Sequence, residues 1–214
     1  MTDPLELLQL CAETYRLAES YRDSGVVQDS GRYLFRRYED KATFTTIFAR
    51  PDHLKCEFFR GDALMFAVWN AGNGPRTWSG WRNKVDCYDW CPKEHTPIGL
   101  AIASATGVTR GTAYIITRLL LPDQVEGRLL TAITESEMAG HETVDDHDCW
   151  VVKGKLAGSA CRVWFDKDSY IIRRVTESFN ALVFNGEKTI DIKPELNVPI
   201  DPDAFQFAPP DAAG

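Results

Sequence analysis

The chain has 214 residues, 44% hydrophobic and 26% charged, an ordinary globular composition with enough length for one domain and a sizeable core. A formal charge of −7 argues against nucleic acid and anionic membrane surfaces as main partners, and no apolar run approaches a membrane span. Six cysteines are too few for a disulfide scaffold, and Met1-Thr2-Asp3-Pro4 has neither the basic nor the apolar region of a secretory leader.

Residues 3–21 read as a helix. Asp3 can cap it, Pro4 suits the first position and Glu6 completes a capping-box arrangement. Leu7, Leu10, Cys11, Thr14, Leu17, Ala18 and Tyr21 recur at helical spacing as one packing stripe. Two strands, 25–30 and 32–38, follow around a turn expected at Asp29-Ser30-Gly31. The stretch Lys41–Asn70 then reads as three strands broken at Arg50-Pro51-Asp52 and Arg60-Gly61-Asp62. Connections this short join only antiparallel strands. Alternation groups Phe44, Thr46 and Phe48, then Leu54, Cys56 and Phe58, then Met65, Ala67 and Trp69. Ile47, Phe59, Leu64, Phe66 and Val68 fall on the opposite faces, so both sides of this meander need cover.

The region 76–90, with Trp78, Trp81, Tyr88 and Trp90, is irregular strand. A short apolar helix is expected over 97–105, broken by Gly107 and Gly111. A second run, Thr112–Leu121, stops at Pro122 and is apolar around most of its circumference, so it is deeply buried or covers something apolar. Five strands follow, at 135–144, 149–154, 160–165, 170–178 and 188–194, and the tail 200–210 makes one turn of helix.

No motif selects a catalytic centre. Cys87, Cys91 and His95 have four-residue spacing, which zinc sites use, but Pro92 prevents one continuous helix from presenting all three. His141, Asp145, Asp146, His147 and Asp148 lie between two strands and read as a solvated hairpin turn. A turn centred on Leu156-Ala157 sets Cys149 opposite Trp164 and Cys161 opposite Val152, so the two cysteines are not direct partners. No metal and no cofactor is expected.

Several phrases, in order, carry a family resemblance: Tyr21-Arg22-Asp23-Ser24-Gly25, Phe48-Ala49-Arg50-Pro51-Asp52, Cys149-Trp150-Val151-Val152-Lys153-Gly154, Val163-Trp164-Phe165-Asp166-Lys167-Asp168-Ser169-Tyr170 and Asn197-Val198-Pro199-Ile200-Asp201-Pro202. Together they resemble the bacterial outer-membrane lipoprotein-carrier and lipoprotein-sorting (LolA/LolB-like) superfamily, within its branch of exported proteins. The resemblance implies an α+β fold: a strongly curved antiparallel sheet, an incomplete barrel, with helices over its open concave side. It implies a non-enzymatic periplasmic or otherwise exported monomer whose partner is a lipid or an acylated lipoprotein. The alternative is an envelope sensor that binds another protein. The expected lining of hollow and lid is Phe44, Phe48, Leu54, Phe58, Met65, Trp69, Trp78, Ile116, Leu119 and Leu120. Family lids are latched by a sheet arginine, for which Arg37, Arg50 and Arg60 are candidates. Asp146 stands where relatives carry a turn glycine, and Asp tolerates the left-handed conformation.

Overall fold

The side chain of Asp3 accepts a hydrogen bond from the Leu5 N–H at 3.0 Å and Pro4 opens the helix, so α1 (Pro4–Leu17) starts where its capping residues dictate. The structure, a computed structural model, describes residues 3–181 and 184–210; Met1 and Thr2 lie outside them. The helix ends before Tyr21, because Ala18 is already extended at ψ 124°. Arg50 holds this end, donating from Nε to the Ala18 carbonyl at 3.0 Å and from Nη2 to the Arg16 carbonyl at 2.6 Å. A cation there also complements the helix dipole.

Among the described residues, eleven strands form one open antiparallel sheet. In chain order they are β1 (Ser20–Tyr33), β2 (Arg36–Ala49), β3 (His53–Arg60), β4 (Ala63–Asn70), β5 (Arg76–Ser79), β6 (Lys84–Cys87), β7 (Thr134–Val144), β8 (His147–Leu156), β9 (Ser159–Asp166), β10 (Ile172–Ala181) and β11 (Phe184–Leu196). Their spatial order is β6-β5-β4-β3-β2-β1-β11-β10-β9-β8-β7, so β6 and β7 are the free edges. Between β6 and β7 the chain crosses the concave side as α2 (Pro97–Ser104), α3 (Thr106–Thr109) and α4 (Thr112–Leu120). These helices share one continuous core with α1 and the inward sheet residues. The sheet is therefore curved and incompletely closed, as expected.

The turn expected at Asp29-Ser30-Gly31 is absent. Instead β1 runs through it to Tyr33, and the reversal comes at Leu34, whose φ is 53°. Gly31 serves close strand approach: a Cβ on it would sit 2.2 Å from the Asn185 carbonyl oxygen. Asp146, by contrast, does take the left-handed conformation, with φ 65°.

Cross-strand register arranges the concave face in rows. At the closed end, under α1, Tyr21, Phe48 and Leu54 lie side by side. The next row holds Asp23, Thr46, Cys56 and Val68, and the next holds Gly25, Phe44, Phe58 and Phe66. Beyond it an aliphatic row runs Ala42, Val27, Ile190, Val175, Val163 and Val152. At the open end the row turns ionic: Asp40, Asp29, Lys188 and Glu177 are neighbours on β2, β1, β11 and β10.

The ring of Phe44 lies across Gly25, where a Cβ would approach it to 2.2 Å and the Asp191 carbonyl to 2.7 Å. Since backbone as well as ring must then move, Gly25→Ala is expected to cost about 1–3 kcal/mol. A lowered urea midpoint at unchanged slope checks this.

Candidate functional site

Helix α4 presses its apolar residues into the concave face. Ile115, Ile116, Leu119 and Leu120 are buried there, in a core shared with Phe44, Phe48, Leu54 and Phe58. The void left between α4 and the sheet, bounded by Phe44, Thr46, Cys56, Phe58, Ile116 and Ile192, is only about 10 Å³. That is the size of one water probe. The centre of the half-barrel is filled by the helix.

Space opens at the mouth. A pocket of about 260 Å³ lies between the α3–α4 corner and the sheet, with an apolar wall of Val27, Ala42, Phe58, Met65, Trp81 and Val108. Trp81 reaches it by stacking on Phe66, with ring centroids 5.9 Å apart. The rim is charged. Arg110 and Gly111 both adopt left-handed backbone conformations (φ 50° and 80°), turning the chain sharply between α3 and α4. Arg110 then reaches down to the sheet, pairing with Asp29 and, at 2.8 Å, with Asp40. Arg60 pairs with Asp40 at 3.0 Å. Lys188 donates to the Arg110 carbonyl at 3.1 Å and to Glu177 at 3.2 Å. Arg128, on the segment after α4, donates to Glu177 and to the Leu156 carbonyl, each at 3.1 Å. So the helical cover is tied to the sheet at the mouth by charge-assisted hydrogen bonds, from Arg110 before α4 and from Arg128 on the segment after it, while α4 itself is held by apolar packing.

The latch differs from the expected one. Arg50 caps α1, Arg37 is exposed on β2, and Arg60 braces Asp40 from within the sheet. The arginine that ties cover to sheet, Arg110, belongs to the cover; the sheet contributes Asp29, Asp40 and Lys188.

Eight of the ten expected lining residues come together. Phe44, Phe48, Leu54, Phe58, Ile116, Leu119 and Leu120 share the concave core, and Met65 lines the mouth. Trp69 and Trp78 do not join them. They sit on the outer face with Ala67 and Leu64, covered by Phe207 of the C-terminal tail, whose ring centroid is 4.6 Å from that of Trp69. The cause is a bulge: Phe58 pairs with Phe66 while Phe59 pairs with Leu64, leaving Met65 as the extra residue. One inserted residue exchanges the two faces of everything after it. Phe66 and Val68 therefore point inward. The residues that sequence reasoning missed are Val27, Ala42, Trp81, Val108 and the ionic set around Arg110.

All six cysteines are free. The pairing of β8 and β9 puts Cys149 opposite Asp166 and Cys161 opposite Gly154, because the turn is Ala157-Gly158, one residue beyond the expected centre. Burial drives the thiols of Cys11 and Cys56 far above the ordinary range and those of Cys149 and Cys161 up to about 11. Among the described residues no cluster of His, Cys, Asp or Glu is arranged to hold a metal ion, and no helix is long and apolar enough to cross a membrane.

One buried carboxyl lies in the second row. Asp23 accepts from the Tyr21 hydroxyl at 2.7 Å, and the Tyr15 hydroxyl accepts from the Ile172 N–H at 3.1 Å. Burial raises Asp23 to about 7, against hydrogen bonds from Tyr21 and Thr46 that favour its charged form.

Neither a protein-family model nor a curated protein sequence matches the chain. Solved structures do. Lipoprotein LppX of Mycobacterium tuberculosis aligns over 94% of this chain and 98% of its own, with TM-score 0.52 and 13% identity. MucB of Pseudomonas aeruginosa, in its complex with MucA, aligns over 97% of this chain but 62% of its own, with TM-score 0.54 and 10% identity. At such identities the likeness is one of architecture. The chain shares the fold of these structures, and its open, curved antiparallel sheet with helices over the concave side is the architecture that the LolA/LolB-like resemblance implied.

Proposed function

We propose that this protein is a non-enzymatic carrier of the bacterial cell envelope that holds a lipid, or the acyl chain of a lipoprotein, beneath α2–α4. The observation that carries this reading is the mouth pocket, an apolar opening of about 260 Å³ that leads directly to a helix lodged in the hollow. Ligand pockets generally run from about 300 to 1,000 Å³, so the opening admits the end of a chain and no more. Deeper entry requires α4 to yield, and an acyl chain then replaces Ile116, Leu119 and Leu120 against Phe44 and Phe58. Each methylene buried contributes about 0.8 kcal/mol, so one chain can match the packing that the helix gives up. The ionic ties at Arg110 and Arg128 reclose the cover.

Filling the mouth tests this. Ala42→Trp is expected to weaken binding of an apolar dye such as 1-N-phenylnaphthylamine by about tenfold or more, while leaving the thermal midpoint within a few degrees. Undiminished dye binding in a folded variant contradicts the site.

A second reading is favoured by the likeness to MucB, which forms a complex with MucA. A protein-interaction module of this fold would bind its partner along a free edge, β6 or β7, and Ala42→Trp would leave that binding intact.

A further inference from the structure

We propose that the ligand of this carrier is anionic, and that its phosphate or carboxylate headgroup seats in the cleft between Arg110, Arg128 and Lys188. The inference rests on the carrier reading and names the ligand's chemistry. The cleft, about 550 Å³, adjoins the apolar mouth pocket and shares Asp29 and Arg110 with it. A chain extending from a head in the cleft reaches the apolar opening past the Arg110–Asp29 pair.

Charge balance points to the sign. The ionic ties form an alternating line, Arg60–Asp40–Arg110–Asp29 and then Lys188–Glu177–Arg128, the two halves joined where Lys188 donates to the Arg110 carbonyl. Along it stand four cations and three carboxylates. On the cleft itself three cations face two carboxylates. One positive charge is left over at the mouth of a protein whose formal charge is −7.

Donor arithmetic points the same way. The Lys188 side chain is 7% exposed, and of the three N–H bonds of its ammonium one goes to the Arg110 carbonyl and one to Glu177. Among the described residues the third meets no acceptor, and the group lines the cleft. Arg128 spends Nη1 on Glu177 and Nη2 on Leu156, and its buried Nε has no hydrogen-bond partner. The Arg110 and Arg128 side chains are 41% and 38% exposed, so each still offers N–H groups to solvent. A planar guanidinium pair around an ammonium suits an oxyanion with two or three oxygens. The Ser159 hydroxyl, on the same wall, can donate to it as well.

The test is competition against 1-N-phenylnaphthylamine by dodecyl phosphate, dodecanoate and dodecanol, with inorganic phosphate alone as a further arm. In the wild type both anionic amphiphiles are expected to displace the dye at concentrations at least about tenfold below dodecanol. Arg128→Gln and Arg110→Gln are each expected to shrink that preference, read as the ratio of anion to dodecanol within one variant, to about threefold or less, because a loosened cover acts on all the amphiphiles alike. Of the two anions, the one with the larger preference identifies the head. Equal displacement by alcohol and anions in the wild type overturns the proposal and leaves the carrier reading standing. An anion preference unaltered in both variants overturns the assignment to this cleft. Inorganic phosphate abolishing the preference at concentrations equal to those of dodecyl phosphate marks a site for the free ion and also overturns it. A dye that does not bind at all overturns the carrier reading, and this proposal with it.

Discussion

Asp23→Asn is expected to make the protein more stable at pH 8 and to remove a fall in stability between about pH 4 and 7. The carboxyl is 6% exposed and raised by burial to about 7, whereas in the unfolded chain it titrates near 3.9. Between those values the folded state holds a proton that the unfolded state has released. The stabilisation that this confers is complete below about pH 4, is lost as pH rises to about 7, and stays lost above. The total is on the order of 4 kcal/mol. Asparagine keeps an acceptor for the Tyr21 hydroxyl, which now donates to Asp23 at 2.7 Å, and never becomes charged. Other carboxyls act in the opposite sense: Asp86 is lowered by its hydrogen bond with Lys84, against burial, and its contribution is lost on acidification. The difference between wild type and variant isolates Asp23. Urea midpoints from pH 4 to 8 are the measurement, and parallel curves would refute a buried, mostly neutral carboxyl.

The second large effect is at the ionic belt. Lys188→Met is expected to cost about 2–3 kcal/mol, because it removes the buried ammonium beside Glu177 and leaves that carboxylate to Arg128 alone. The two side chains are each 7% exposed and 3.2 Å apart. Replacing both, as Glu177→Leu with Lys188→Met, is expected to recover most of the loss, since neither buried charge then remains and Arg128, 38% exposed, turns to solvent. Thermal or urea unfolding of the three variants decides it. A single variant within about 1 kcal/mol of wild type shows that water reaches the pair freely.

The fold was legible because its signals are local. Asp3 and Pro4 mark the start of α1, Arg50-Pro51-Asp52 and Gly61-Asp62 mark hairpins, and Gly111 with Pro122 brackets α4. The site was legible only as far as register could be followed. The bulge at Met65 has no sequence signature, so the face carrying Trp69 and Trp78 was assigned inward and that of Phe66 and Val68 outward. The ionic belt was hidden for a related reason. Asp29 reads as a turn former beside Gly31, yet it faces Asp40 and Lys188 in mid-ladder. Such a row becomes visible only when four strands are aligned, and Asp40 and Glu177 lie 137 positions apart in the chain. Arg110 follows the same logic, since nothing near it in sequence names its partners.

The claim that α2–α4 is a displaceable cover is tested most directly by a distance across the mouth. Spin labels at Gly107→Cys, where a side chain meets open space, and at Asp62→Cys on the β3–β4 turn span it. Cys87→Ser and Cys91→Ser remove the more accessible native thiols, while Cys11, Cys56, Cys149 and Cys161 are buried with thiols pushed upward. On addition of saturating lysophosphatidylglycerol the distance between the labels is expected to lengthen and its distribution to broaden. An unchanged distance in protein shown by native mass spectrometry to carry the lipid contradicts a moving cover.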